Sequence, residues 1–226
     1  MKKLLLIFLS LITLFSFKDD GYFKNPFPKK IIFQGNSLFD TGINHVTNNL
    51  KYVTLGIYDS LRESYPGLVL VDYSISGQNQ VQINSKMYSQ YNSNLVDSQS
   101  VCVIWEGTND LAHYPSKTGT QAFAGLKSFT NHLDSLGIKL VVCTVIARDL
   151  ASDPGNLMTR IAVYNDSIRA NFSGNRLCDL GSLSMFNDRA DASNTTYYQD
   201  KLHLYQAGQD IVLYQVKNKI QEYFEN

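Results

Sequence analysis

Apolar runs of strand length alternate with segments of helical periodicity along this chain, and that alternation limits the folds open to it. The runs are Ile31 to Phe33, Leu68 to Ile75, Val101 to Trp105, Leu140 to Ile146, and a weaker one from Arg176 to Leu180. Leu50, Val53, Ile57 and Leu61 mark one helical face, and Ala122, Leu126, Phe129, Leu133 and Leu136 a second. Leu157, Ile161, Tyr164, Ile168 and Phe172 mark a third, and Val212, Val216, Ile220 and Phe224 a fourth. Residues 78–95 are polar and predict only a weak helix. Strand alternating with helix predicts the α/β class: a three-layer α/β/α sandwich around a five-stranded parallel sheet. Strands covered on both faces should be continuously apolar, as Leu140 to Ile146 nearly is. In such sheets ligands bind beyond the carboxyl ends of the strands.

The 226 residues are 44% hydrophobic and 12% aromatic, enough for one domain with a substantial core. Twenty basic and 20 acidic residues cancel, so no positive excess points to nucleic acid or an anionic membrane surface. Met1, Lys2 and Lys3 precede an apolar stretch from Leu4 to Phe17, too short for a comfortable bilayer span. Residues 1–18 therefore predict a secretory signal peptide, and with it export to the periplasm, cell surface or medium. An uncleaved membrane anchor is the alternative, because no small-x-small cleavage site stands near Ser16. Residues 19–30, with Pro26 and Pro28, predict a linker, and residues 31–226 the domain.

Three cysteines, Cys102, Cys143 and Cys178, lie far apart and predict small core residues rather than a disulfide framework or a zinc site. The four histidines form no His-Glu-x-x-His arrangement, so neither a metal nor another cofactor is expected.

Four polar segments stand where the sheet should end. Gly35-Asn36-Ser37 follows the first strand and Ser76-Gly77-Gln78-Asn79 the second. Gly107-Thr108-Asn109-Asp110 follows the third, and Asp200-Lys201-Leu202-His203 precedes the last helix. A serine hydroxyl is a weak nucleophile until a base takes its proton, and a histidine titrating near neutrality suits that task. The histidine needs a third group to fix its tautomer, and Asp200 lies within one tight turn of His203. An oxyanion needs donors: the N–H groups of Ser37 and Gly77 and the amide of Asn109 are the candidates. Gly77, without a Cβ, would let a substrate approach the backbone closely.

Gly35-Asn36-Ser37-Leu38, Gly77, Gly107-Thr108-Asn109-Asp110 and Asp200-x-x-His203 together resemble the blocks of the SGNH hydrolases, also called GDSL esterases and lipases. They stand in that family's order, at strand ends that suit its flavodoxin-like sheet. The resemblance covers nearly all of the chain after residue 30. It implies an ester hydrolase that works through an acyl-serine intermediate without a metal. Ser37 would be the nucleophile, His203 the base and Asp200 its orienting acid. Ser37, Gly77 and Asn109 would form the oxyanion hole. Asn36 departs from the Asp usual in the family; it keeps an acceptor oxygen and loses the charge.

Substrate contacts are expected from His113, Tyr114, Arg148 and Tyr198, with Tyr114, Tyr197 and Tyr198 as an aromatic platform for sugar and Asp149 either beside Arg148 at the substrate or paired with it. Asp110 should brace its loop. Asp188 and Asp191 are rival carboxylates without the three-residue spacing to a histidine, in a long polar segment, Gly181 to Gln199, that predicts a site wall. The expected substrate is an acylated carbohydrate, the expected activity an exported acetyl esterase. A lysophospholipase or thioesterase of the envelope is the second reading. A catalytically silent domain that binds glycan, suggested only by Asn36, is the third. Nothing in the residues specifies an oligomeric state.

Overall fold

The computed structural model describes residues 29–39, 50–82, 85, 99–150 and 156–225. The signal-peptide segment, most of the linker and much of the weak helix of residues 78–95 lie outside them; residues 80–82 are helical. In chain order the main elements are β1 (Lys30–Gly35), α1 (Leu50–Arg62), β2 (Val69–Asp72), β3 (Ser100–Trp105) and α2 (Thr108–His113). They continue with α3 (Gly119–Ser135), β4 (Lys139–Cys143), α4 (Leu157–Asn171), β5 (Leu177–Cys178) and α5 (Gln206–Glu225).

The five strands form one sheet in the order β2-β1-β3-β4-β5, and every pairing is parallel. This is the flavodoxin-like order of a doubly wound sheet. Period-two alternation divides each central strand between two cores. Ile31, Phe33, Val101, Val103, Trp105, Val141 and Cys143 pack against Ile57 and Leu61 of α1 and Val212, Val216 and Ile220 of α5. Ile32, Cys102, Ile104, Leu140 and Val142 pack against Ala122, Leu126 and Phe129 of α3 and Ile161, Tyr164 and Ile168 of α4. Helices therefore cover both faces, which explains why β3 is buried at every position.

Two strands end earlier than their apolar runs. Beyond Asp72, Tyr73 and Ile75 still donate to the carbonyls of Phe33 and Gly35, but the Ser74 N–H turns to the Asp72 carboxylate. Beyond Cys143, the side-chain amide of Asn165 takes the place of a neighbouring strand. It accepts from the Val145 N–H at 2.8 Å and donates to the Val145 carbonyl at 2.7 Å. The edge strand β5 shrinks to two residues, which set Cys178 beside Cys143. All three cysteines are buried, and none is in a disulfide. Among the described residues no helix is long and apolar enough to cross a membrane, and no group of His, Cys, Asp or Glu is arranged to hold a metal ion.

An aromatic cluster secures the carboxyl end of the sheet. Phe33 meets Phe39 edge-on at 5.1 Å, and Phe39 meets Trp105 at 5.2 Å. The Trp105 indole donates to the Thr144 carbonyl, joining the ends of β3 and β4. Phe33→Ala should cost about 3–5 kcal/mol, because it leaves a cavity against an interior strand of the sheet. Urea unfolding followed by the fluorescence of Trp105, the chain's single tryptophan, measures it.

Candidate active site

The turn after β1 puts a serine where the sheet ends. Asn36 is buried, and its side-chain oxygen accepts the Leu38 N–H at 3.1 Å while its carbonyl accepts from Phe39. This is an Asx-turn, for which Asn serves as well as Asp because the turn uses the acceptor oxygen and not the charge. Ser37 sits at the apex, 5% exposed, with its Oγ 2.9 Å from Nε2 of His203. On the other side of the ring, His203 Nδ1 lies 2.6 Å from Oδ2 of Asp200. With Nδ1 donating to the carboxylate, Nε2 is left to accept from the serine hydroxyl.

Asp200 and His203 form one compact turn. Asp200 Oδ1 also accepts the backbone N–H groups of Leu202 and His203. Burial alone would raise the Asp200 pKa. The bonds from the His203 ring and backbone, the charge of His203 and the bond from Leu202 outweigh it and hold the value at about 2. Asp200 is thus ionised throughout the neutral range.

Asp149, in the loop after β4, fixes this turn in space. Its carboxylate takes Lys201 Nζ and Arg189 Nε at 2.6 Å each, and its N–H donates to the Lys201 carbonyl. Lys201 stands at φ 67°, a conformation that these bonds help to hold. Asp149 therefore does not pair with Arg148, contrary to one expectation for it. The Arg148 side chain is buried, and its Nε and Nη1 have no hydrogen-bond partner among the described residues. Burial lowers its pKa, while the nearby charge of Asp200 acts in the opposite direction.

The segments after β2 and β3 are tied together. Asn109 Nδ2 donates to the Gln78 carbonyl at 3.0 Å. Asp110, fully buried, accepts the Gln80 N–H at 2.9 Å and pairs with Lys117 at 2.6 Å. Asp110 therefore braces its segment, although it lies in the short helix α2 rather than in a turn. Gly107 opens that helix at φ 102°, and any Cβ there would lie 2.6 Å from the Tyr164 ring. Gly77 stands at φ 73°, and a Cβ on it would meet nothing within 4 Å. Glycine at 77 answers to backbone conformation, not to crowding by the protein.

The expected substrate contacts divide. His113 and Tyr114 are exposed; the Tyr114 hydroxyl accepts from Asn79 at 2.8 Å. Tyr114 and Asn79 line a cavity of about 610 Å³ with Val81, Gln82, Lys117 and Gln121, and neither Ser37 nor His203 belongs to it. Tyr198 is a correction. It is buried edge-on against Phe186, and its hydroxyl donates to the Ala147 carbonyl, so it is a core residue and no platform for sugar. Tyr197 is half-buried against the same phenylalanine. The carboxylates of Asp188 and Asp191 accept local backbone N–H groups, which folds residues 187–194 into compact turns.

No protein-family model and no curated protein sequence matches the chain. Solved structures do match in fold. A protein described as an acylhydrolase from Bacteroides fragilis NCTC 9343 superposes with a TM-score of 0.65 at 20% identity, covering 87% of this chain and 88% of that one. A catalytic mutant of an acetylxylan esterase from Geobacillus stearothermophilus gives 0.61 at 18% identity over 86% and 94%. A psychrotrophic esterase from Pseudoalteromonas sp., inhibited by monoethylphosphonate, gives 0.62 at 13% identity over 88% and 100%. With its five parallel strands and flanking helices, this chain has the fold of the SGNH, or GDSL-type, hydrolases.

Proposed function

We propose that the chain is a serine ester hydrolase of the SGNH type that removes acetyl or similar short acyl groups from carbohydrate. The observation that carries this reading is the relay Ser37 Oγ–His203 Nε2 at 2.9 Å and His203 Nδ1–Asp200 Oδ2 at 2.6 Å. As Oγ attacks the ester carbonyl carbon, Nε2 takes its proton and the carbonyl oxygen becomes an oxyanion. Asp200 keeps its negative charge and stabilises the imidazolium. Collapse of the tetrahedral intermediate breaks the bond to the alcohol, which leaves with the proton from Nε2. A water then attacks the acyl-serine by the same route in reverse. The N–H groups of Ser37 and Gly77 and the amide of Asn109 are assigned to the oxyanion; Asn109 uses one N–H on Gln78 and has a second to offer.

Acetylxylan esterases are among the structures of the same fold, and so are proteins described as GDSL-like lipases. Carbohydrate is preferred to lipid because the segment Gly181 to Gln199, which leads into Asp200, is polar. The chain is assigned to the exterior of the cell on its N-terminal segment alone, and fractionation with N-terminal sequencing of the mature chain tests that assignment.

The direct test of the reaction is a p-nitrophenyl ester series from acetate to long chains. Turnover should fall steeply beyond short acyl groups, and acetylated xylan should release acetate. A long-chain preference would overturn the carbohydrate reading in favour of a lipid substrate. Ser37→Ala should lower kcat by about 10⁴-fold or more; retained activity would remove Ser37 from the mechanism. No turnover of any ester by the native chain would favour the silent glycan-binding domain.

Two further substitutions separate the roles. Asn109→Ala should lower kcat by about 10²–10³-fold with little change in KM, as for a donor that acts on the transition state. Asp200→Asn should lower kcat/KM by about 10²–10⁴-fold, because the imidazole loses the carboxylate that fixes its tautomer and stabilises the imidazolium.

A further inference from the structure

Beneath helix α2 lies a buried carboxyl group that the proposed chemistry does not use. Glu106 directly follows β3 and is 2% exposed. Strand register brings Gln34 of β1 opposite Ile104, so Gln34 and Glu106 share the face covered by α3 and α4. Neither Glu106 oxygen has a hydrogen-bond partner among the described residues, and neither has Oε1 of Gln34. The Gln34 amide lies close enough that its N–H side favours the charged carboxyl, against burial and Asp110, but it makes no well-formed bond to it, and only with the amide turned over would Oε1 face Glu106.

Among the described residues Glu106 has no counterion. From α2 comes Asp110, whose carboxylate already takes Lys117 and the Gln80 N–H. From α4 comes Tyr164, whose hydroxyl donates to the backbone carbonyl of Glu106 and accepts from Gln80 Nε2. Two buried carboxyl groups thus stand close together, and among the described residues only Asp110 is paired with a cation. An ionised Glu106 would be both desolvated and repelled by Asp110. A proton on Glu106, donated to Gln34 Oε1, would satisfy two of the three orphaned oxygens at once.

We propose that Glu106 is held as the neutral acid and that its proton positions α2, and with it Asn109, over the site. Glu106 acts as a positioning residue: it touches no reacting atom, but its ionisation would set a second negative charge beside Asp110 at the root of the Asn109 helix. Burial first, and Asp110 second, push its pKa up to about 8 from the ordinary 4.5. The folded value lies above the unfolded one. The stability that the proton confers is therefore complete below about pH 4.5 and is lost as pH rises through about 8.

The role of Asn109 rests on the proposed hydrolase reaction, so the test pairs activity with readouts that need no substrate. Glu106→Gln carries a permanent uncharged donor of the same shape. The native chain should show an infrared band of a protonated carboxyl at pH 7, lost above about pH 8 and absent from the variant. Amide-exchange protection across residues 107–113, corrected for intrinsic rates, should fall above about pH 8 in the native chain only. On p-nitrophenyl acetate, kcat/KM relative to each protein's own value at pH 7 should fall at least about threefold by pH 9 in the native chain and hold in Glu106→Gln. A native chain without the band at pH 7 would overturn the protonation, whether or not the variant folds. A band with equal exchange behaviour in both proteins would overturn the positioning role. If no ester is hydrolysed at all, the hydrolase reading fails while band and exchange still decide the protonation and the hold on α2.

Discussion

The parallel register of β1, β3 and β4 is the constraint on which the rest depends. Because each pairing runs in the same direction, the carboxyl ends of all five strands emerge along one edge. The chain leaves that edge through Asn36-Ser37, through Gly77-Gln78 and through Gly107-Asn109, and α5 is preceded on the same side by Asp200 and His203. None of these segments is near another in sequence. Two-faced burial of the strands brings them together, and the aromatic cluster of Phe33, Phe39 and Trp105 locks the first and third exits at a fixed distance.

The site divides into two halves with different physics. The half that holds the relay is open and ionic: Asp200 is about half exposed, and Asp149 grips its turn through two surface cations. Such pairs contribute little to stability one by one, but here they fix the orientation of a single imidazole. The half that holds Asn109 is buried and polar. Tyr164 packs against Gly107, Gln80 bridges Tyr164 and Asp110, and the buried acid Glu106 lies between them. Water screens errors of placement in the first half. In the second each polar group must find its partner, so the network there is less tolerant of change.

Much of this was legible in the residues because the signals were periodic or local. Alternation of strand and helix fixed the class. The Asp200-x-x-His203 spacing is a one-turn device, and Asn36 could be read as an acceptor for its own turn. What escaped was whatever depends on packing between distant segments. Tyr198 looks like a surface aromatic in a polar loop, yet Phe186 and the Ala147 carbonyl draw it into the core. Asp149 gives no local sign that Lys201 and Arg189 will reach it. The early end of β4 follows from Asn165, a helix residue whose amide fits the gap at Val145. Glu106 follows an apolar run next to a motif, and only the fold reveals that no cation accompanies it among the described residues.

The one-turn relay has a consequence for how competence is acquired. Asp200 and His203 stand three residues apart, and their contact spans a single turn that Asp149 holds from the end of β4. The hydroxyl of Ser37 joins them across 166 residues, through one bond of 2.9 Å. The three side chains meet only when the first strand and the segment before the last helix have both docked, so the proposed competence is a property of the finished molecule and of no smaller part of it.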